Sequence, residues 1–149
     1  MDILVRKMEE RDLDRIMEIE DDCFTTPWSR EAFVLEITKN ELARYIVAEI
    51  NDKVVGYGGI WMIVGEGHIT NIGVESKYRR LGVGNKILEG LIDISKDMEI
   101  ISMTLEVRES NIAAQNLYKK YGFIEYGKRP NYYSDDNEDA IIMWKKFDE

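Results

Sequence analysis

The chain has 149 residues, a formal net charge of -9, 44% hydrophobic and 33% charged content, and a sequence pI of about 4.8. These values predict one water-soluble domain, residues 1–149, around a single core, and they exclude a broad nucleic-acid-binding face, which needs a basic stripe. The single cysteine, Cys23, excludes an intrachain disulfide; no apolar run nears the ~18 residues of a membrane span, and the first residues lack an apolar signal segment, so a cytoplasmic protein is expected.

In chain order, Ile3 to Lys7 reads as a short strand, followed by a helix with Leu13, Ile16, Met17 and Ile19 on its apolar face. Asp21 to Pro27 breaks that pattern, and Ser29 caps a second helix that runs to about Lys39. Arg44 to Ile50 and Lys53 to Val64 flank Asn51-Asp52, a hairpin signal. Gly65-Glu66-Gly67 leads tightly into a strand from His68 to Val74, giving three consecutive strands expected to be antiparallel. Val83, Ile87, Leu88, Leu91, Ile92 and Ile94 recur near the helical period to about Lys96. Ile100 to Val107 is β-rich, Asn111 to Lys120 is helical, and Gly122 is placed to end that helix in the left-handed conformation. Phe123 to Arg129 and Ala140 to Phe147 read as closing strands around a polar loop, Pro130 to Asp139. Pattern alone predicts an α/β or α+β fold with one mixed sheet.

Chemistry concentrates at four places. In Tyr78-Arg79-Arg80-Leu81-Gly82-Val83-Gly84-Asn85-Lys86, a basic turn opens a helix inside an acidic chain. The first amides of a helix lack partners within it and bind phosphate oxygens, and glycine lets a ligand approach the backbone. A plain basic helix-capping turn explains the same residues. In Asn71-Ile72-Gly73-Val74, Gly73 inside a strand signals a bulge or a close approach by another group; a core strand with one small residue is the alternative. In Thr104-Leu105-Glu106-Val107-Arg108, alternation sets Glu106 on the face opposite Leu105 and Val107. It reads either as a general base whose pKa partial burial raises, or as a carboxylate that is solvated or bonded to Arg108. In the Asn111 to Phe123 segment, Tyr118 shares a helix face with Ala114; without further context it reads as a core aromatic with a satisfied hydroxyl.

The basic turn fits Arg/Gln-x-x-Gly-x-Gly/Ala, and Asn-x-x-Ala-x-x-Leu-Tyr-x-x-x-Gly-Phe follows it; both resemble the GNAT superfamily of N-acetyltransferases. The Leu105 to Phe123 segment, Pro27-Trp28-Ser29, Asn131-Tyr132-Tyr133 and Glu138 to Met143 narrow the resemblance to the ribosomal-protein-alanine N-acetyltransferase (RimI) family. The resemblance implies a GNAT fold: a mixed central sheet of about seven strands flanked by about four helices. It implies acetyl-CoA as cosubstrate, held by Ile72, Gly73 and Val74, by Arg80, Leu81, Gly82, Val83, Gly84 and Asn85, and by Asn111. Glu106 takes the family's proton-acceptor role and Tyr118 its proton-donor role, in direct transfer to the N-terminal amine of a ribosomal protein. A monomer or weak dimer is expected, and relatives can pair with tRNA threonylcarbamoylation proteins.

The acceptor side is less defined. Phe24, Trp28, Tyr132 and Tyr133 either wall a peptide N-terminus or pack beneath loops, and Asp135, Asp136, Glu138 and Asp139 either attract a basic peptide or are solvated. His68 reads as a strand residue and Cys23 as a small packed side chain; one histidine and one cysteine give no metal-ligand cluster. Two rival readings are a broader N-terminal or small-amine acetyltransferase and a non-catalytic acetyl-CoA-binding module.

Overall fold

A computed structural model describes residues 2–147. The elements run β1 (Leu4–Lys7), α1 (Leu13–Cys23), α2 (Arg30–Thr38), β2 (Ala43–Ile50), β3 (Lys53–Ile63), β4 (Glu66–Val74), α3 (Val83–Asp97), β5 (Ser102–Arg108), α4 (Ile112–Lys120), β6 (Ile124–Arg129) and β7 (Ala140–Lys146), with 3-10 turns at Glu10–Asp12 and Ser76–Tyr78. Local signals explain most of the boundaries. Ser29 caps α2 by accepting the Ala32 N–H, at 3.1 Å. Asn51 and Asp52 adopt φ of 50° and 65°, the left-handed pair that matches strand twist in a two-residue hairpin. Gly122 closes α4 at φ 94°.

All seven strands form one sheet in the order β1-β2-β3-β4-β5-β7-β6. Every pairing is antiparallel except β4 with β5, and that parallel pairing lasts for only three residue pairs, Glu66–Ser102, Gly67–Met103 and His68–Thr104. Two residues further on, Thr70 is an extra residue in β4: Gly59 of β3 faces Asn71, and Ile60 faces Ile69. A bulge bends its strand and increases its twist. β4 therefore turns away from β5, and a cleft opens between their C-terminal halves.

Gly73 is not the bulge. A Cβ there would lie 2.8 Å from the Tyr57 ring and 3.4 Å from Ile19, so close packing demands the glycine. Where a bulge falls depends on the β3–β4 register, which no local pattern fixes.

The sheet's two faces are covered differently. α3 lays Val83, Ile87, Leu88 and Leu91 on one face, joined by Leu105, Val107, Met103 and, from α4, Tyr118. Burying a side chain such as Leu91 stabilises the fold by about 1.5–3 kcal/mol. Ile94 is only half-buried; Ser95 takes the inward position and donates to the Leu91 carbonyl. On the other face, α1 and α2 bury Leu13, Ile16, Ile19 and Phe33 against Tyr45, Val47 and Tyr57.

Candidate active site

The basic turn carries the expected free amides. Arg79 donates weakly to Ser76 O, and the Lys86 N–H makes the first helical bond, to Gly82 O. Among the described residues, the backbone N–H groups of Arg80 to Asn85 donate to no acceptor outside regular helix bonding. Arg80 at φ 66° and Gly82 at φ 87° hold this turn in the left-handed region, which Gly82 tolerates without strain. A Cβ at Gly82 would meet nothing within 4 Å, so the approach to the turn is open. Val83 is buried and offers only its amide, whereas Leu81 is exposed. Arg79 turns inward: its Nε donates to Val74 O at 3.1 Å and its guanidinium reaches Cys23, whose Sγ bonds the same carbonyl.

The freed edge of β4 runs from this turn into the cleft. Glu75 N donates to Val55 O, so Glu75 and Gly73 direct their backbone groups toward β3. By the alternation of an antiparallel ladder, Ile72 and Val74 direct theirs into the cleft.

Across the cleft, Glu106 lies on the α1–α2 face, opposite the buried Leu105 and Val107. It does not bond Arg108. Its Oε1 lies 2.8 Å from His68 Nε2, and the Tyr132 hydroxyl approaches the same oxygen at 3.4 Å. The hydrogen bond from His68 holds the Glu106 carboxyl below the usual carboxylate range, overcoming burial, with the Arg129 charge and Tyr132 acting in the same direction. The sequence expectation of a raised pKa is thus reversed. Burial does oppose ionisation, but a partner 38 residues distant outweighs it.

Tyr118 is 9% exposed, packs edge-on to Phe123 at 5.8 Å, and is pushed above the usual phenol range by burial, with Tyr133 adding to it. Its hydroxyl forms no hydrogen bond with a described residue, and no fully buried side-chain polar atom there lacks a partner, so the hydroxyl opens to solvent. That departs from a satisfied core tyrosine. Asn111, expected at the cosubstrate, uses its Oδ1 to cap α4 through Ala114 N, at 3.1 Å.

The acidic loop is drawn onto Arg108 and nearby backbone amides, although Asp135 and Asp136 remain exposed. Arg108 is gripped by Asp135, Asp136 and Glu138 at 2.8–3.2 Å and lies 4.0 Å over the Tyr133 ring. Glu138 also accepts the Ser110 N–H, and Asp139 accepts the Asn131 N–H. Thr25 donates to Asp135, joining the α1–α2 loop to the β6–β7 loop. Tyr132 and Tyr133 stand edge to face at 5.0 Å beside Glu106, whereas Trp28 packs on Phe33 at 5.3 Å and is half-buried.

Two participants escaped the sequence reading. His68 appeared only as a strand residue; parallel register with Thr104 brings it beside Glu106. Glu20 is 1% exposed, and its place in the stripe Leu13, Ile16, Glu20 was the available signal.

The family model for the acetyltransferase (GNAT) family matches residues 13–123. A Bacillus subtilis (strain 168) protein named "Putative ribosomal protein bS18-alanine N-acetyltransferase" is 40% identical over 145 residues, covering 97% of this chain and 96% of that one. The Escherichia coli (strain K12) ribosomal protein bS18-alanine N-acetyltransferase is 36% identical over 143 residues, covering 93% and 94%. The crystal structure of the ribosomal-protein-S18-alanine N-acetyltransferase from Escherichia coli superimposes with a TM-score of 0.89 at 33% identity, covering 99% and 96%. The seven-stranded mixed sheet, the parted β4 and β5 and the matched sequence agree: this chain is an acetyltransferase of the GNAT family.

Proposed function

We propose that this protein transfers an acetyl group from acetyl-CoA to the N-terminal α-amine of a protein, with an alanine-first ribosomal protein as its substrate. One observation carries the reading: β4 parts from β5 just past His68, leaving an open backbone edge between an unpartnered amide cradle and the pair Glu106–Tyr132. The relatives' names supply the acceptor class.

The residues present fit acetyl-CoA. The donor set at Arg80 to Asn85 suits a diphosphate, and Gly82 leaves the approach clear. The Ile72 backbone groups and the Val74 N–H suit an amide-bearing chain that pairs as an added strand, while the Val74 carbonyl is held by Arg79 and Cys23. When bound, acetyl-CoA supplies an acetyl group activated as a thioester.

The chain's own residues divide the remaining work. An α-amine, with a pKa of ~8 against ~10.4 for lysine, is neutral in about a tenth of its population near pH 7, against fewer than about one in a thousand for lysine. Glu106 is ionised there and acts as proton acceptor, directly or through one water, with His68 fixing its orientation. Its lowered pKa makes it a weak base, sufficient because nitrogen sheds its proton readily once it has begun to bond carbon. The Ile72 and Val74 backbone lines the edge where negative charge on the carbonyl oxygen would be met. Tyr118 keeps its proton across the neutral range, and its free hydroxyl is the group available to hydrogen-bond the departing sulfur.

Incubation with acetyl-CoA and peptides varied at their first residues, with mass spectrometry locating the label, tests this reading. An α-acetylated alanine-first peptide is the expected product. Acetylation of free polyamines in preference to every peptide would overturn it.

A further inference from the structure

The α1–α2 face holds a buried carboxylate that the proposed chemistry does not use. Glu20 lies in the last turn of α1, at 1% exposure, among Ile16, Ile19 and Phe33. Its Oε1 accepts the Trp28 N–H at 2.8 Å, and its other oxygen accepts the Tyr57 hydroxyl. The Tyr57 oxygen in turn accepts from Asn71 Nδ2, at 3.0 Å. One carboxylate thus joins the end of α1, the loop before α2 and the residue that follows the β4 bulge.

A purely structural role would be cheaper with a cation. Asp12, the other carboxylate buried this deeply among the described residues, has one: Arg6 grips both of its oxygens at 2.7–2.8 Å. Among the described residues Glu20 has no such partner, and burial pushes its carboxyl up to about 7. A buried carboxylate without a cation is costly, and replacement by apolar packing would avoid the cost. Both groups it holds connect to elements that border the cleft. Asn71 is adjacent to Ile72 on the freed edge, on the sheet face that also carries His68 and Glu106. Trp28 belongs to the loop that Thr25 ties, through Asp135, to the Tyr132–Tyr133 loop.

We propose that Glu20 is a positioning residue for the acceptor peptide: through the Trp28 amide and the Tyr57–Asn71 chain, it sets the wall and floor that receive the peptide's first residues. This inference rests on the peptide-acetylation reading above. It assigns Glu20 no contact with acetyl-CoA and no proton transfer.

The test uses Glu20→Gln and Tyr57→Phe. Gln retains the bond to Trp28 but cannot accept the Tyr57 proton at its nitrogen; Phe keeps the ring packing against Phe33 and removes only the hydroxyl. Calorimetry with coenzyme A, and then with an alanine-first peptide on the coenzyme complex, measures the two affinities separately. In each variant, loss of a buried charge-assisted hydrogen bond is expected to weaken peptide binding by about fivefold or more while coenzyme affinity stays within about twofold. The peptide KM rises in parallel, and kcat changes less. Peptide affinity within twofold of native in a variant that melts cooperatively would overturn the positioning role while leaving the acetylation reading intact. A native protein that binds coenzyme A but no peptide would overturn both.

Discussion

The two faces of the sheet are built on different principles. Beneath α3, the core is mostly aliphatic: Ile87, Leu88 and Leu91 pack with Val55, Ile60 and Leu105, all buried, and Tyr118 and Phe123 join them at one end. Beneath α1 and α2, hydrogen bonds thread the packing. They run from Glu20 through Tyr57, Asn71, Thr70 and Tyr45 to Glu36, which also holds the Trp61 indole. His68 and Glu106 extend the polar character to the cleft. Apolar packing is non-directional and sets stability, whereas buried hydrogen bonds are directional and fix positions at a cost. The α3 face chiefly holds the sheet together, and the threaded face holds most of the groups placed for chemistry, with Tyr118 reaching the cleft from the α3 side.

That division can be broken from either side. Glu106→Gln, on the threaded face, should give the largest effect on turnover: removing a proton acceptor lowers kcat by about 10²- to 10³-fold, with a far smaller effect on stability, limited to the weakened His68 bond. Leu91→Ala, on the α3 face, should do the reverse. It is expected to cost about 3 kcal/mol in urea unfolding, while kcat of the folded fraction stays near native. A large kcat loss in Leu91→Ala would show that the faces are not separable. Tyr118→Phe should lower kcat by about tenfold or more and leave coenzyme affinity unchanged; full turnover would remove the tyrosine from the chemistry.

The pH response of Glu20 sharpens the comparison on the threaded face. Its folded pKa is raised from the ordinary 4.5 to about 7. A raised acid contributes stability that is fully present below the unfolded value and is lost as pH climbs through the folded one. The native protein should therefore lose stability relative to Glu20→Gln between about pH 4.5 and 7, by on the order of 3 kcal/mol, since each pKa unit is worth about 1.4 kcal/mol. Glu106, lowered by His68, has the opposite sign, its contribution being lost on acidification. Denaturation of both proteins at a series of pH values checks the slope; parallel curves would place a proton-independent group at Glu20.

Legibility followed the range of the interactions. The Ser29 cap, the Asn51-Asp52 turn and the Gly122 terminus needed only neighbouring residues, and each lies where the sequence put it. The unpaired amides at Arg80 to Asn85 were equally local, because any helix start leaves them free. The direction of the Glu106 pKa shift is not legible in the sequence, since partial burial can be read from alternation and the His68 bond cannot. Gly73 was open between bulge and close approach, and the register of β3 against β4 decided it. The charges at Asp135, Asp136 and Glu138 gave no hint that Arg108 would collect all three.

Sequence by itself determined the order and kinds of elements, the amide-bearing turn, and the family that the chain joins, because capping, periodicity and motif spacing act over a few residues. Tertiary structure alone decided how far β4 stays with β5, which partner Glu106 has, and that Glu20 is buried without a cation. Each of those depends on strand register and helix docking, which bring together groups tens of residues apart, so that the electrostatic state of a side chain is set by neighbours its own segment does not contain.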